Sequence, residues 1–524
     1  MPLENTVDNS DAHFVLIRHC RALALIAAAA AVGVYGSGCK ARSDPPAPMK
    51  MRIGIGLPPK ASGAPGSGAE SFIRSLTSEP LLANRRDGRQ SEFIATKWEW
   101  DEAGTTLKLT LRRDVRFHDG TPLTPEIAAQ ILRKVVKNEN RQEPLSFASV
   151  ASVAPSGDDA VVFKLKERNF FLIADFTAVV MSKPDRPEIG TGPFQIASQD
   201  DRGAKLRAFP QYFRGRPGLN EVDVIYYPTQ RKAWASMMRD EVDMLHEVSR
   251  DAAQFVEAET TVTSYPFPRP YYIPLVFNVH HPVLKNPEVR KALNEAIDKA
   301  TLVRDGMKGR GRPADGPVPP EHWAYSPPAQ PFAFSPAAAR ARLDAAGFKA
   351  RAHRADRTAP ARFSFKCLVY SGDTRFERLA MLVQKQLADV GVDMILEPLS
   401  LRDLVGRLGK GDFDAFLFEL VGNSLSWAYE WWHHNPEGRF NSGYKAADAI
   451  LDTIRAAREE DEVRAAVAQL ATILHSDPPA VFIAWQATAR AVSTKFEVAG
   501  ERDRDIVANL WQWRPAAPAK QAMR

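Results

Sequence analysis

Between residues 107 and 136 the spacing of apolar positions changes from that of a strand to that of a helix. Leucines alternate with polar residues over 107–111 (LKLTL), which predicts a strand with one buried face. Asp119-Gly120 predicts a tight turn, and Thr124 before Pro125 predicts the amino-terminal cap of a helix. The apolar stripe of that helix consists of Ile127, Ile131, Leu132 and Val135.

The string FHDGTPLT at residues 117–124 resembles a signature of the family 5 extracellular solute-binding proteins, the receptors of peptide- and nickel-type ABC importers. Further blocks resemble the same family in the same order, roughly over residues 75–490. They are Thr96–Asp101 (TKWEWD), Gly190–Phe194 (GTGPF), Phe209–Phe213 (FPQYF), Arg239–Leu245 (RDEVDML), Phe277-Asn278, Pro287–Asp298, Ser335–Phe348 and Gly409–Asp414 (GKGDFD). In RDEVDML, Asp240 stands where the family has glycine.

The resemblance implies an α/β, two-lobed periplasmic-binding-protein fold with an inserted subdomain in the first lobe. Helical and strand patterns alternate after residue 270, which favours the same class. The predicted divisions are a signal peptide at 1–39, a linker at 40–50, a lobe I core at 51–80, 188–270 and 486–524, an inserted subdomain at 81–187, and lobe II at 271–485.

Two proline-rich strings lie where this family crosses between its lobes. They are Ser264–Pro274 (SYPFPRPYYIP) and His475–Phe482 (HSDPPAVF). Because proline restricts the backbone, we predict that two narrow strands act as a hinge here. The alternative is that both are ordinary edge strands.

The composition excludes several classes of protein. A chain of 524 residues predicts more than one domain. The net charge is +6, but acidic and basic residues are interleaved and no basic run alternates with aromatics, so no nucleic-acid partner is expected. Cys20, Cys39 and Cys367 are too few for a disulfide framework.

The amino terminus predicts a secretory leader. Basic residues precede the apolar run 22–34, which is too short to span a bilayer comfortably. Small residues before Cys39 resemble a bacterial lipobox, although Gly36 stands in the usual leucine position and acidic residues precede the run. We therefore expect lipidation at Cys39 and contact with the membrane only through the leader or lipid anchor. The alternative is an uncleaved membrane anchor.

The candidates for catalysis are poor. His246-Glu247 begins like a zinc-protease helix, but Arg250 replaces the second histidine ligand. No G-x-S-x-G nucleophile motif occurs. The adjacent His433 and His434 diverge on a helix and cannot clamp a metal by themselves. We expect no enzyme activity, no cofactor and no metal site.

The strongest candidate for a ligand site is residues 419–434 (ELVGNSLSWAYEWWHH), predicted as an aromatic loop after a buried strand. In peptide-binding relatives the equivalent loop reads about G-W-x-A-D-Y-x-D-P, and its aspartate pairs with the peptide amino terminus. The resemblance places Asn423 at that aspartate and Leu420 at the tryptophan. An asparagine cannot supply charge-assisted pairing, which puts α-amino peptides in doubt and leaves sugars, opine-like conjugates and metal chelates open. The predicted ligand-binding residues are Asn423, Trp427, Trp431, Tyr271, Tyr272 and Trp485, the alternative being core or hinge packing.

The resemblance implies a periplasmic or membrane-tethered receptor that closes two lobes around a small solute or peptide. It would deliver the solute to ABC permease subunits in the inner membrane and act as a monomer. Two other functions stay open, namely a ligand sensor of the same fold that no longer serves import, and a secreted hydrolase.

Overall fold

The computed structural model describes residues 49–56, 68–137, 145–248, 252–349, 361–434, 440–500 and 505–516. The predicted signal peptide, Cys39 and most of the linker lie outside the described residues. Within the described ranges, no helix has the length and apolar character needed to cross a membrane.

The described secondary structure is of mixed α/β type. The strands are β1 (Lys50–Gly56), β2 (Ala83–Asn84), β3 (Gln90–Ser91), β4 (Ala95–Trp100), β5 (Thr106–Leu111), β6 (Val150–Ser156), β7 (Ala160–Leu165), β8 (Phe194–Asp200), β9 (Gly203–Ala208), β10 (Glu221–Tyr227), β11 (Met244–Leu245), β12 (Val262–Phe277), β13 (Gly311–Pro313), β14 (Phe363–Tyr370), β15 (Val392–Leu399), β16 (Ala415–Leu417), β17 (Leu420–Val421), β18 (Ala480–Ser493), β19 (Phe496–Glu497) and β20 (Arg514–Pro515). The α-helices are Gly68–Thr77, Pro125–Lys137, Phe171–Asp175, Gln230–Met238, Ala253–Ala258, Pro287–Glu295, Lys299–Thr301, Pro336–Ala345, Thr374–Asp389, Leu401–Lys410, Leu425–Trp432, Asp448–Ala456 and Glu460–Ser476.

One long sheet runs through most of the chain in the order β15-β14-β16-β12-β18-β11-β1-β10-β9-β8, with β17 attached to β12 and β13 to β18. We call the β1 and β8–β11 end lobe I and the β14–β16 end lobe II. The long antiparallel pair β12 and β18 joins them. A separate four-stranded sheet, β4-β5-β7-β6, lies within the predicted inserted subdomain. The residue boundaries of the lobes stay a prediction.

The first proline-rich string lies within β12, whereas the second overlaps β18 only at Ala480–Phe482. Both strands have neighbours on either side in the sheet order. In the described structure residues 264–268 have a strand partner, β18, on one edge, so the first string is locally an edge segment there. The hinge role of both strings stays a prediction.

The pattern over residues 107–136 folds as predicted. The three leucines of β5 are buried, and the helix begins at Pro125. The Thr124 hydroxyl accepts a hydrogen bond from the Ile127 amide at 3.4 Å. Gly120 has a φ of +84° in the turn.

Asp240, at the position where the family has glycine, has a φ of +59°, a region that non-glycine residues seldom adopt. Its carboxylate pairs with the Lys495 ammonium group. Asp240 thus adopts a backbone conformation that glycine favours, and its side chain makes an ion pair.

A buried carboxyl group lies where lobe I meets the inserted subdomain. Glu79 accepts a hydrogen bond from the Tyr212 hydroxyl, and its backbone bonds to Met181 and Thr191. Burial raises the pKa of Glu79 from its ordinary 4.5 to about 7.

Substituting Glu79→Gln tests this assignment. In the native state Glu79 stays protonated at pH values at which the same group in the unfolded chain has lost its proton. The contribution of Glu79 to the unfolding free energy is therefore complete below about pH 4.5 and is lost as the pH rises to about 7. The unfolding free energy of Glu79→Gln minus that of wild type should rise by up to about 3 kcal/mol as the pH increases from about 5 to about 8. Urea unfolding at both values measures this. The exposed Glu70→Gln is the control, and an equal gain for both variants would contradict the assignment.

Candidate ligand-binding site

The strand directions place the cleft between the carboxyl ends of both lobes' parallel strands. β14 runs parallel to β15 and β16, while β1 runs parallel to β10 and β11. β16 is antiparallel to β12, and β11 is antiparallel to β18. Since β12 and β18 are themselves antiparallel, the two parallel sets point toward each other. Ligands of open α/β sheets bind outside such carboxyl ends.

The floor of this cleft carries a row of buried polar side chains on β18. Gln486, Thr488 and Arg490 alternate with alanines and are all buried. The Thr488 hydroxyl donates to Glu247 at 3.1 Å, just beyond the end of β11. Arg490 bonds to the Asp505 carboxylate at 2.5 Å and to the carbonyl oxygen of His246. This end of the row is bound to lobe I.

The other end of the row is bound to lobe II. The Gln486 amide donates to Glu419 Oε2 at 2.8 Å. The Arg375 guanidinium lies 3.2 Å from the same oxygen and donates to Gln486 Oε1. Arg375 follows β14 and Glu419 follows β16, so both lie at carboxyl ends.

A second charged pair lies beside this row. The Arg269 guanidinium lies 3.8 Å from the Glu247 carboxylate and 5.1 Å from the centre of the Tyr271 ring. Burial, with the nearby Glu419 charge, raises the pKa of Tyr271. The phenol therefore stays protonated and can donate a hydrogen bond at neutral pH.

The expectation of a loop over residues 419–434 is wrong, because a helix, Leu425–Trp432, occupies half of it. Leu425, Ala428 and Trp432 are buried at helical spacing, and this apolar face outweighs the aromatic composition of the segment. Trp427 and Trp431 lie half-buried on another face, with ring centres 5.8 Å apart and nearly parallel planes.

This aromatic helix is bound to the cleft floor and to the inserted subdomain. The Trp431 indole donates to the Val421 carbonyl at 2.8 Å, and Val421 pairs with Tyr271. On the other side, the Ser426 hydroxyl donates to the buried carboxylate of Asp175 at 2.9 Å. The half-buried tryptophans are thus held beside Tyr271.

The structure brings the six predicted ligand-binding residues into one neighbourhood at different depths. Asn423 is exposed, and Tyr271, like the two tryptophans, is half-buried. Tyr272 and Trp485 are buried, with ring centres 4.9 Å apart, and the Tyr272 hydroxyl accepts a bond from the Trp432 indole. The ligand-binding role of all six stays a prediction.

The histidines considered as possible metal ligands, His246 and His433, each lie against an aromatic ring. His433 ends the aromatic helix and stacks on Tyr429 at 4.4 Å. His246 follows β11 instead of starting a helix, and burial, with the Arg490 charge, lowers its pKa to about 3. Residue 250 lies outside the described residues. Among the positions that the structure describes, no three histidine, cysteine or acidic side chains form a candidate metal site.

Sequence reasoning missed the charged residues of the floor, Arg269, Glu247, Arg375 and Glu419. Their partners are distant in sequence and meet only through the strand order. One signal was available, because Gln486, Thr488 and Arg490 place a polar residue at every second position of an otherwise apolar strand.

The sheet order and the cleft define a two-lobed binding protein. Residues 91–439 match the model of the bacterial extracellular solute-binding proteins, family 5 (middle region), and the chain belongs to this family.

Comparison with individual proteins agrees with this. The dipeptide-binding protein of Escherichia coli K12 is 24% identical over 448 residues, which cover 75% of this chain and 80% of that protein. NikA from Brucella suis, solved with Fe(III)-EDTA, matches with a TM-score of 0.78 at 19% identity, over 89% of this chain and 100% of that one. AppA from Bacillus subtilis, solved with a nonapeptide, matches with a TM-score of 0.72 at 21% identity, over 90% and 100%.

The close approach of Gly422 to the buried rings gives a stability prediction. A Cβ atom there would lie 2.4 Å from Trp485 Cη2 and 2.8 Å from Tyr272 Cδ1. We expect Gly422→Ala to lower the unfolding free energy by about 1–3 kcal/mol, because neither ring can move without repacking the floor. The control Gly406→Ala, at an exposed position of the helix Leu401–Lys410 with open space around it, should instead gain about 0.5–1 kcal/mol. Denaturant unfolding compares them, and similar values would contradict the packing.

Proposed function

We propose that this protein is the substrate-binding component of a peptide-type ABC importer, which captures a small polar solute or peptide by closing its two lobes. The observation that carries the proposal is the continuous polar row of β18. It joins Glu247 of lobe I to Arg375 and Glu419 of lobe II at the point where the strand ends converge. Groups from both lobes can therefore contact one ligand, and the ligand can stabilise the closed state.

Family membership supports the class of function, and the cleft suggests the kind of ligand. Similar proteins are named for a dipeptide or were solved with a nonapeptide or Fe(III)-EDTA. Half-buried aromatic faces and placed polar groups suit a small organic solute. The neutral, exposed Asn423 offers hydrogen bonds but no charge to such a ligand.

The remaining parts of the proposal follow from the leader and the family. We place the protein in the periplasm or at the outer face of the cell envelope, anchored through Cys39. It would act as a monomer that docks on permease subunits in the inner membrane and needs no cofactor.

A thermal-shift screen of the protein without residues 1–39 tests the function. A solute that binds only the native state must raise the melting temperature. Peptides, sugars, opines and metal chelates make up the panel. Reproducible stabilisation by one class supports a solute receptor, whereas turnover of any panel compound would overturn the proposal.

The stacked pair of tryptophans gives a sharper prediction. With the solute found in that screen, Trp427→Ala should weaken binding by about ten-fold or more while the melting temperature of the free protein changes little, since the ring is half-buried. Titration calorimetry measures the affinity. Trp98→Ala, a half-buried tryptophan on β4, should leave the affinity unchanged. Loss of the fold in Trp427→Ala would show that this ring belongs to the core.

A further inference from the structure

Glu419 has a carboxylate oxygen that the protein does not use. Its side chain is 20% exposed at the cleft end of lobe II, where β16 ends and β17 begins. The Gln486 amide donates its hydrogen bond to Oε2, and the Arg375 guanidinium makes its closest approach to the same oxygen. Oε1 has no hydrogen-bond partner among the described residues. A carboxylate has about four acceptor positions, so capacity for a further donor remains.

The charge around Glu419 is only partly neutralised. The Arg375 guanidinium lies 2.8 Å from Asp373 Oδ2 as well as 3.2 Å from Glu419 Oε2. Two carboxylates therefore share one guanidinium. The other oxygen of Asp373, Oδ1, accepts a hydrogen bond from the backbone amide of Arg375 at the start of the helix.

The other charges of the floor are already paired. Glu247 is matched by Arg269, and Arg490 by Asp505. The exposed Asn423 is neutral. Within the described part of the floor, the unused negative charge is therefore that of Glu419.

The neighbouring aromatic surface suits a cation. The Tyr271 ring already carries the Arg269 guanidinium over one face. The Trp431 indole is held to Val421, the strand partner of Tyr271. Indole and phenol rings attract ammonium groups through their π faces.

We infer that Glu419 Oε1 binds the ammonium group of an amine-bearing solute, with Tyr271 and the tryptophan pair covering its carbon chain. This inference rests on the proposed function and names the charge of its ligand. It makes Glu419, rather than position 423, the specificity-determining residue for amines.

The test compares two chemical forms of one mixture. The probe is an arginine-free tripeptide mixture with cadaverine and tyramine, used as free amines and after complete acetylation. The wild-type protein should bind the amine form and not the acetylated form. Glu419→Gln, which keeps an acceptor for Gln486, should lose about ten-fold or more in affinity for the amine form, because a charge-assisted bond is removed.

Two matched variants exclude general effects. Glu295→Gln breaks a comparable ion pair with Arg342 on lobe II helices and should bind like wild type. Asp393→Asn, which removes the charge of an exposed carboxylate on β15 of lobe II, should also retain amine binding. Melting temperatures of the free variants show that each is folded.

Each result has a defined meaning. Equal binding of both forms, absence of binding to the amine form, or full retention of affinity in Glu419→Gln overturns the inference. If neutral solutes still stabilise the protein in the thermal-shift screen, the proposed receptor function stands without it. If no solute class stabilises the protein, both fail together.

Discussion

The pairing of β12 with β18 is the constraint on which the rest of the structure depends. The two strands pair from Val262 opposite Ser493 to Val276 opposite Ala480, with bulges near Tyr272. One face of β18 supplies the polar floor, and its ends attach to both lobes. Because the strands that join the lobes also form the floor, movement of one lobe must change the position of the floor relative to that lobe's own groups.

Proline spacing explains why the part of β12 between the two lobes pairs with β18 along one edge while its other edge stays without a strand partner in the described structure. Pro266, Pro268 and Pro270 recur at every second position and are exposed. Alternate residues direct their backbone nitrogens to the same edge, so the missing donors fall on one edge. That edge has a strand partner in the described structure only from Tyr271 onward, where β17 and β16 begin to pair. The prolines thus keep further strands from widening this connection.

Local patterns made much of the fold predictable, whereas the site depended on distant contacts. The strand β5 and the helix from Pro125 follow from alternation and capping within a few residues. The aromatic helix was missed because its tryptophans suggested a ligand surface, although Leu425, Ala428 and Trp432 already had helical spacing. Arg375 and Glu419 belong to different βα units and meet only because β14 and β16 are parallel neighbours. No local pattern contains that adjacency.

Closure of the lobes around a ligand would remove water from the floor. The free-energy cost of that step depends on whether the charged groups of the floor have partners. Paired charges lose water at a lower free-energy cost than isolated ones, because each keeps a partner. Arg490 is paired with Asp505, and Arg269 with Glu247, in this structure. Glu419 Oε1 would lose its hydrogen bonds to water on closure without gaining a new donor, unless the ligand provides one. If Glu419 Oε1 binds a ligand ammonium group, as we infer, the same oxygen would make the closed state depend on a ligand of complementary charge.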